Sequence, residues 1–363
     1  MAHVIVVGGG IIGLLTAREF SQVDNQVTLI ESGQLAHESS WAGGGILSPL
    51  YPWRYPDSVN ALAKWSQSAY PHLCRSLLRT TGIDPEFITN GMLVMAESEH
   101  TIATTWAHRH RLQLELISQN FSSNLEPALA QPSLSAIWMP NVAQVRPPRL
   151  TKALAADLDQ RGVTIITNLA VRGLSLAQDR VGGILTEQGM LEADAVVICA
   201  GAWTAELLKP FMPAPDIRPV RGQMILFKAI PDAISRILLQ ENRYIIPRRD
   251  GHILFGSTLE ETGFDQTTTE EARQELYALA TERFPILKNY PLVKQWAGLR
   301  PGSPAGIPYI TAHPNLKGLY INAGHFRNGV VLGPASARLM VDIVTGNPPI
   351  LPAEPYAMNA SRE

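Results

Sequence analysis

The chain has 363 residues and a formal charge of −2, with a pI near 6.5, which excludes the basic footprint of a nucleic-acid binder. Hydrophobic residues make up 45% and charged residues only 17%, so the chain is not a disordered polymer, and at about 150 residues per domain it has room for about two domains. So low a charge content also fits a membrane protein, but no run reaches the ~18 apolar residues of a spanning helix.

The N-terminus reads as strand His3–Val7, helix Ile11–Phe20 and strand Gln26–Ile30, a βαβ opening. Gly8, Gly10 and Gly13 form G-x-G-x-x-G at its first junction. The first glycine permits the turn, the second lets backbone approach a pyrophosphate, and the third lets helix and strand pack closely. The helix N-terminus adds partial positive charge for the phosphates. Glu31 closes the second strand, where a carboxylate accepts from ribose hydroxyls, and no basic residue flanks it to receive a 2′-phosphate, which argues against NADP.

A glycine- and turn-rich segment follows from Ser39 to Pro56, then helical patterns over Val59–Thr80 and Ser98–Leu116. Arg149–Arg161 predicts a helix with Leu150, Leu154 and Leu158 on one face. Strands are expected at Val163–Thr167, Val171–Leu174, Val181–Leu185 and Ala195–Ala200, the last apolar enough to be buried on both faces. From Val220 to Thr258 the pattern turns to hairpins, with Asp250-Gly251 as a two-residue type I′ turn. Helix Glu270–Phe284 and a glycine-rich turn, Gly324–Gly333, precede the helix Ala335–Val344.

The α/β segments bracket a more antiparallel insertion. The expected fold is therefore α/β, a Rossmann-like nucleotide domain (1–84, 145–216 and 296–363) interleaved with an α+β substrate domain carrying an antiparallel sheet (85–144 and 217–295). Cys74 and Cys199 stand far apart, in no metal or redox spacing, which predicts a reducing compartment, the cytoplasm. His108 and His110 do not share a helix face, and no metal site is expected.

The fingerprint alone does not separate FAD from NAD. Ser39-Ser40-Trp41-Ala42-Gly43-Gly44-Gly45-Ile46 offers hydroxyls and close backbone approach to a large planar ligand. Gly324-His325-Phe326-Arg327-Asn328-Gly329-Val330-Val331 offers a second helix N-terminus, suited to the negative charge of a reduced flavin.

With these motifs, and with Glu31-Ser32-Gly33 and Trp296-Ala297-Gly298-Leu299-Arg300-Pro301-Gly302 between them, the sequence resembles the D-amino acid oxidase family of flavoproteins, and within it the glycine oxidase branch of thiamine biosynthesis. The resemblance implies non-covalent FAD and hydride transfer from the Cα of a small amino acid to the flavin. It implies an oxo acid, ammonia and hydrogen peroxide as products, molecular oxygen as acceptor, and a homotetramer. It further implies that Gly8, Gly10, Ile11, Ile12, Gly13, Glu31, Ser32, Ser39, Ser40, Gly44, Gly45 and Ile46 hold FAD. Val171 would contact the adenine side, and His325, Phe326, Arg327, Asn328, Gly329, Val330 and Val331 the flavin end. Arg300, Arg327 and Tyr244 match the substrate-binding positions. Pro304-Ala305 departs from the family, where an acidic residue is often found.

Once the amine is neutral, this oxidation needs positioning more than an acid or base. A planar arginine fork suits a carboxylate anchor, and Arg300 sits in what reads as a proline- and glycine-rich loop. A surface arginine is the alternative reading there, and a packing aromatic the alternative for Tyr244. Trp203 reads as a packing residue over the cofactor domain. Three other functions remain open: a D-amino acid dehydrogenase serving a quinone, an NAD-dependent dehydrogenase, and a non-catalytic nucleotide-binding module.

Overall fold

The computed structural model describes residues 2–23, 25–118, 124–130 and 135–362. Its elements open with β1 (His3–Val7), α1 (Ile11–Phe20), β2 (Gln26–Ile30), α2 (Ser39–Ala42) and α3 (Asp57–Thr81). Next come β3 (Ile88–Thr89), β4 (Met92–Val94), α4 (His100–His110), β5 (Glu115–Ile117), β6 (Ala136–Met139), β7 (Ala143–Gln144) and α5 (Pro147–Gln160). Strands β8 (Thr164–Ile166), β9 (Val171–Ala177), β10 (Arg180–Thr186), β11 (Gly189–Glu192) and β12 (Ala195–Ile198) precede α6 (Thr204–Leu208). Then follow β13 (Arg218–Lys228), β14 (Ile237–Gln240), β15 (Arg243–Pro247), β16 (His252–Gly256) and α7 (Glu270–Arg283). The last are β17 (Leu292–Gly302), β18 (Tyr309–Ala312), β19 (Leu319–Ala323) and α8 (Gly329–Thr345).

A six-stranded sheet in the order β18-β19-β12-β1-β2-β8 carries the nucleotide motif. Its strands are parallel except β18. Val4 and Val6 face the helical layer of α1, α3 and α8, whereas Ile5 and Val7 face the layer under the β9–β11 sheet, with Leu174 and Val181. Both faces are covered, which is why β1 is apolar at every position from Val4 on. Gly13 lets α1 press onto the end of β1, since a Cβ there would lie 1.8 Å from the Gly8 carbonyl oxygen.

The second sheet has eight strands, β17-β13-β16-β15-β14-β4-β6-β5. All neighbours are antiparallel except β14 and β4. One face packs Ile225, Phe227, Ile245 and Phe255 against Leu276 and Ala280 of α7. The alternating residues Met224, Tyr244, Ile246 and Leu254 face the other way, with Ile46, Leu50 and Tyr51. This second face looks toward the carboxyl ends of the parallel strands.

Four sequence expectations are corrected. The helix expected over Ser98–Leu116 ends at His110, because Arg111 turns left-handed (φ 54) and the chain re-enters the sheet as β5, with Leu116 opposite Ile137. The β15–β16 connection is not a two-residue I′ turn. Gly251 alone has positive φ, its N–H donates to the Arg248 carbonyl, and Arg248 N–H donates to the His252 carbonyl, the pattern of a type I turn closed by a glycine bulge. Helix α8 begins at Gly329 rather than Ala335 and runs through Pro334. Proline leaves the Val330 carbonyl without its helical donor; the Tyr70 hydroxyl supplies one at 2.5 Å, and Ser66 Oγ accepts the Ala335 N–H. Finally, β17 runs through residue 296, so the domain boundary expected there falls inside a strand.

Candidate functional site

A cavity of about 590 Å3 lies between the carboxyl ends of β1, β2, β12 and β19 and the inner face of the eight-stranded sheet. Strand ends of this kind are where open α/β sheets bind ligands. Strand alternation decides which side chains reach it. Gly222 and Met224 of β13, Tyr244 of β15, and Gly298 and Arg300 of β17 line the cavity. Ile225 and Ile245, the residues that follow Met224 and Tyr244, are buried on the far side against α7.

At one end stands the glycine turn. Gly8 has φ +111, and a Cβ there would lie 2.5 Å from the Cys199 carbonyl oxygen, so glycine is required. Gly10 is open apart from Ser40 Oγ, which accepts the Ile11 N–H at 2.8 Å. The Glu31 carboxylate is fixed at the end of β2 by the N–H groups of Gly9 (2.7 Å) and Gly33 (2.8 Å) and by the Ser32 hydroxyl. A side-chain-free cradle before the N-terminus of a ten-residue helix fits a dinucleotide pyrophosphate.

At the other end Arg300 lies partly buried, with its guanidinium across Gly222: a Cβ on Gly222 would come within 2.0 Å of Nη1. Arg300 Nη2 donates to Ser257 Oγ at 2.6 Å and Nη1 to the Thr258 carbonyl at 3.3 Å. The Tyr244 hydroxyl lies 3.2 Å from the same Ser257 Oγ. Ser257 thus joins the two residues, and no carboxylate pairs with Arg300 among the described residues. Burial lowers the Arg300 pKa and nearby Arg327 lowers it further, yet a guanidinium stays protonated at neutral pH. Arg327 also lines the cavity and donates to the Asn242 carbonyl at 3.4 Å. Arg300 is in strand β17 rather than in a loop, paired with Val220.

His325 is buried, and its Nε2 lies 3.0 Å from Ser336 Oγ, whose hydroxyl donates to the Leu332 carbonyl. That pattern assigns the proton to Nε2. Burial pushes the His325 pKa down to about 3, so the ring is neutral at physiological pH.

Of the residues the sequence singled out for cofactor or substrate, all but two line this cavity. Gly13 serves helix–strand packing behind it, and Asn328 is buried behind it. Trp203 lines the cavity and its ring packs 5.6 Å from that of Phe264. Arg221 points to the opposite side of β13, toward Glu260 and Asp265. Sequence reasoning missed Ser257 and gave Gly222 and Gly298 no role at the site. The two glycines were legible only from strand parity, and Ser257 carries no local signal. Among the described residues no three potential ligands cluster as for a metal, and no helix is long and apolar enough to cross a membrane.

The family described as DAO, FAD dependent oxidoreductase, matches residues 3–343. A glycine oxidase of Pseudomonas aeruginosa is 48% identical over 356 residues, 98% of each chain. A bifunctional protein ThiO/ThiG of Trichormus variabilis is 30% identical over 94% of this chain and 52% of its own length. The crystal structure of glycine oxidase from Geobacillus kaustophilus superposes with a TM-score of 0.94 at 26% identity, covering 99% of this chain and all of that one.

Proposed function

The chain belongs to the DAO family of FAD-dependent oxidoreductases, and from that membership we propose that it oxidises glycine, with sarcosine and small D-amino acids as further substrates. Glycine, water and oxygen give glyoxylate, ammonia and hydrogen peroxide. Bound FAD supplies the two-electron acceptor. The observation that carries the reading is Arg300, a cation with no carboxylate partner among the described residues, sharing the Ser257 hydroxyl with Tyr244 at one end of the cavity. Arg300 binds the substrate carboxylate through its planar fork, and the Tyr244 hydroxyl turns from Ser257 to donate to the same group. Among the described residues no Asp, Glu or Lys hydrogen-bonds to Arg300, Ser257 or Tyr244, so the amine must arrive neutral and orientation is the protein's contribution.

The glycine turn, Glu31 and Ser40 hold the dinucleotide, and the Gly44–Ile46 and His325–Val331 segments the flavin. Burial pushes the Cys199 thiol up to about 12, which supports non-covalent attachment. The ThiO/ThiG relative supports a place in thiamine biosynthesis. We assign oxygen as acceptor and a homotetramer on the family resemblance, and the cytoplasm on the two scattered cysteines, Cys74 and Cys199. Anaerobic addition of glycine tests the core of the reading: it should bleach the flavin absorbance, and a flavin that stays oxidised overturns the assignment. Peroxide release on re-aeration then separates oxygen from a quinone as acceptor.

A further inference from the structure

Arg248 sits in the turn after β15, only 5% exposed. Among the described residues it forms no salt bridge to a carboxylate. Its guanidinium instead gathers three oxygen acceptors: Gln144 Oε1 at 2.6 Å, the Val145 carbonyl at 2.9 Å and the Gly44 carbonyl at 2.6 Å. Its direct partners are neutral oxygens, and the Glu86 and Asp250 carboxylates favour its charge only through space, so its burial is costly.

The third acceptor connects it to the site. The Gly44 carbonyl and the Gly45 N–H belong to one peptide group. Both glycines line the cavity, and the Gly45 N–H has no acceptor among the described residues. The peptide is also pinned in place. A Cβ on Gly45 would lie 2.2 Å from the Val145 carbonyl oxygen, and one on Gly44 would lie 3.2 Å from the Tyr244 ring. Gly45 C=O accepts from Val145 N–H, while Gln144 Nε2 donates to the Pro247 carbonyl. One guanidinium therefore ties the glycine segment, the end of β7 and the β15–β16 hairpin together beside Tyr244.

We propose that Arg248 is a positioning residue for the flavin: it fixes the Gly44–Gly45 peptide and, by polarising its carbonyl, strengthens the Gly45 N–H as a donor toward the cofactor. A positive charge behind that peptide favours the electron-rich, reduced form of whatever its N–H faces. The proposal rests on FAD occupying this cavity, not on which amine is oxidised.

The test reads the cofactor without substrate. In holoenzyme, Arg248→Met should make two-electron reduction at least tenfold less favourable, a drop of about 30 mV in a dye-coupled dithionite titration. Arg248→Lys keeps the charge but cannot bridge Gly44 and Val145 together; it should release FAD at least fivefold faster on dilution. Arg146→Met removes a neighbouring cation paired to Glu86 and Asp250 and should change neither quantity more than twofold. A folded Arg248→Met with the unchanged potential overturns the proposal. If that variant does not fold, Arg248→Lys with unchanged potential and FAD release overturns it. Failure of glycine to reduce the flavin would overturn the substrate reading alone.

Discussion

Arg300 owes its position to a neighbour that has no side chain. Its guanidinium rests over Gly222, and among the described residues Ser257 and the Thr258 carbonyl hold it. Replacing it by Met should raise KM for glycine by roughly 30- to several-thousand-fold, from the 2–5 kcal/mol of a lost buried charge contact, with FAD retained. An unchanged KM in steady-state assays would remove Arg300 from the site. Gly222→Ala should produce a milder rise by moving the guanidinium, again with full flavin content in the absorbance spectrum.

His325 gives a pH prediction with a definite sign. Its pKa falls from the ordinary 6.5 to about 3 on burial. The unfolded chain therefore binds the extra proton first, and stability contributed by the neutral ring is lost as pH falls from about 6.5 toward 3. Chemical denaturation from pH 7 to pH 4 should show a steeper loss in the wild type than in His325→Gln. The same neutrality means that His325 adds no limb to the activity profile between pH 5 and 8. The rate at limiting glycine should rise with pH, as the amine loses its proton.

At the scale of elements, what was legible followed punctuation. The bounds of β1, α1 and β2 were readable because glycines mark the turn and apolar runs mark the strands. Where a distant partner overrides local pattern, the sequence was silent. Nothing near Leu116 announces pairing with Ile137, and nothing near Pro334 announces that Tyr70 will supply the missing donor. Pro301 and two glycines, Gly298 and Gly302, made β17 read as a loop. It tolerates them because it is an edge strand and because Gly298 must admit α2, where a Cβ would lie 2.6 Å from that of Ala42. The glycine turn makes the sharpest element-scale prediction. Gly13→Ala would set a methyl 1.8 Å from the Gly8 carbonyl oxygen, so α1 must part from β1. A destabilisation of about 3 kcal/mol and loss of flavin from the purified protein should follow, by thermal melting and absorbance.

At the scale of the molecule, the site was legible as a set of residues but not as a shape. The motifs at both ends of the chain line one cavity, as interleaving requires, and the inner face of the large sheet closes it with residues that carry no motif. Gly222 and Met224 occupy that face because of strand parity and the registry of β13 with β16 and β17, which are properties of the assembled sheet. The low charge content has the same origin. Two faces of the parallel sheet and both faces of much of the large sheet are covered, leaving little surface for charged residues.

The central strand order has a consequence for how the protein is made. Strand β1 leaves the ribosome first, but its neighbour β12 follows only after almost two hundred residues, and β19 after more than three hundred. Domains form as units once their segments are available, and here neither the parallel sheet nor the cavity is complete until α8 has emerged. FAD capture is thus a late event in biosynthesis, and the nascent chain must wait with β1 and β2 unpaired on one side. Chains cut after Gly318, lacking β19 and α8, should be recovered colourless even when synthesised in excess FAD. Flavin retention by such a fragment would show that the glycine turn captures its ligand before the sheet closes around it.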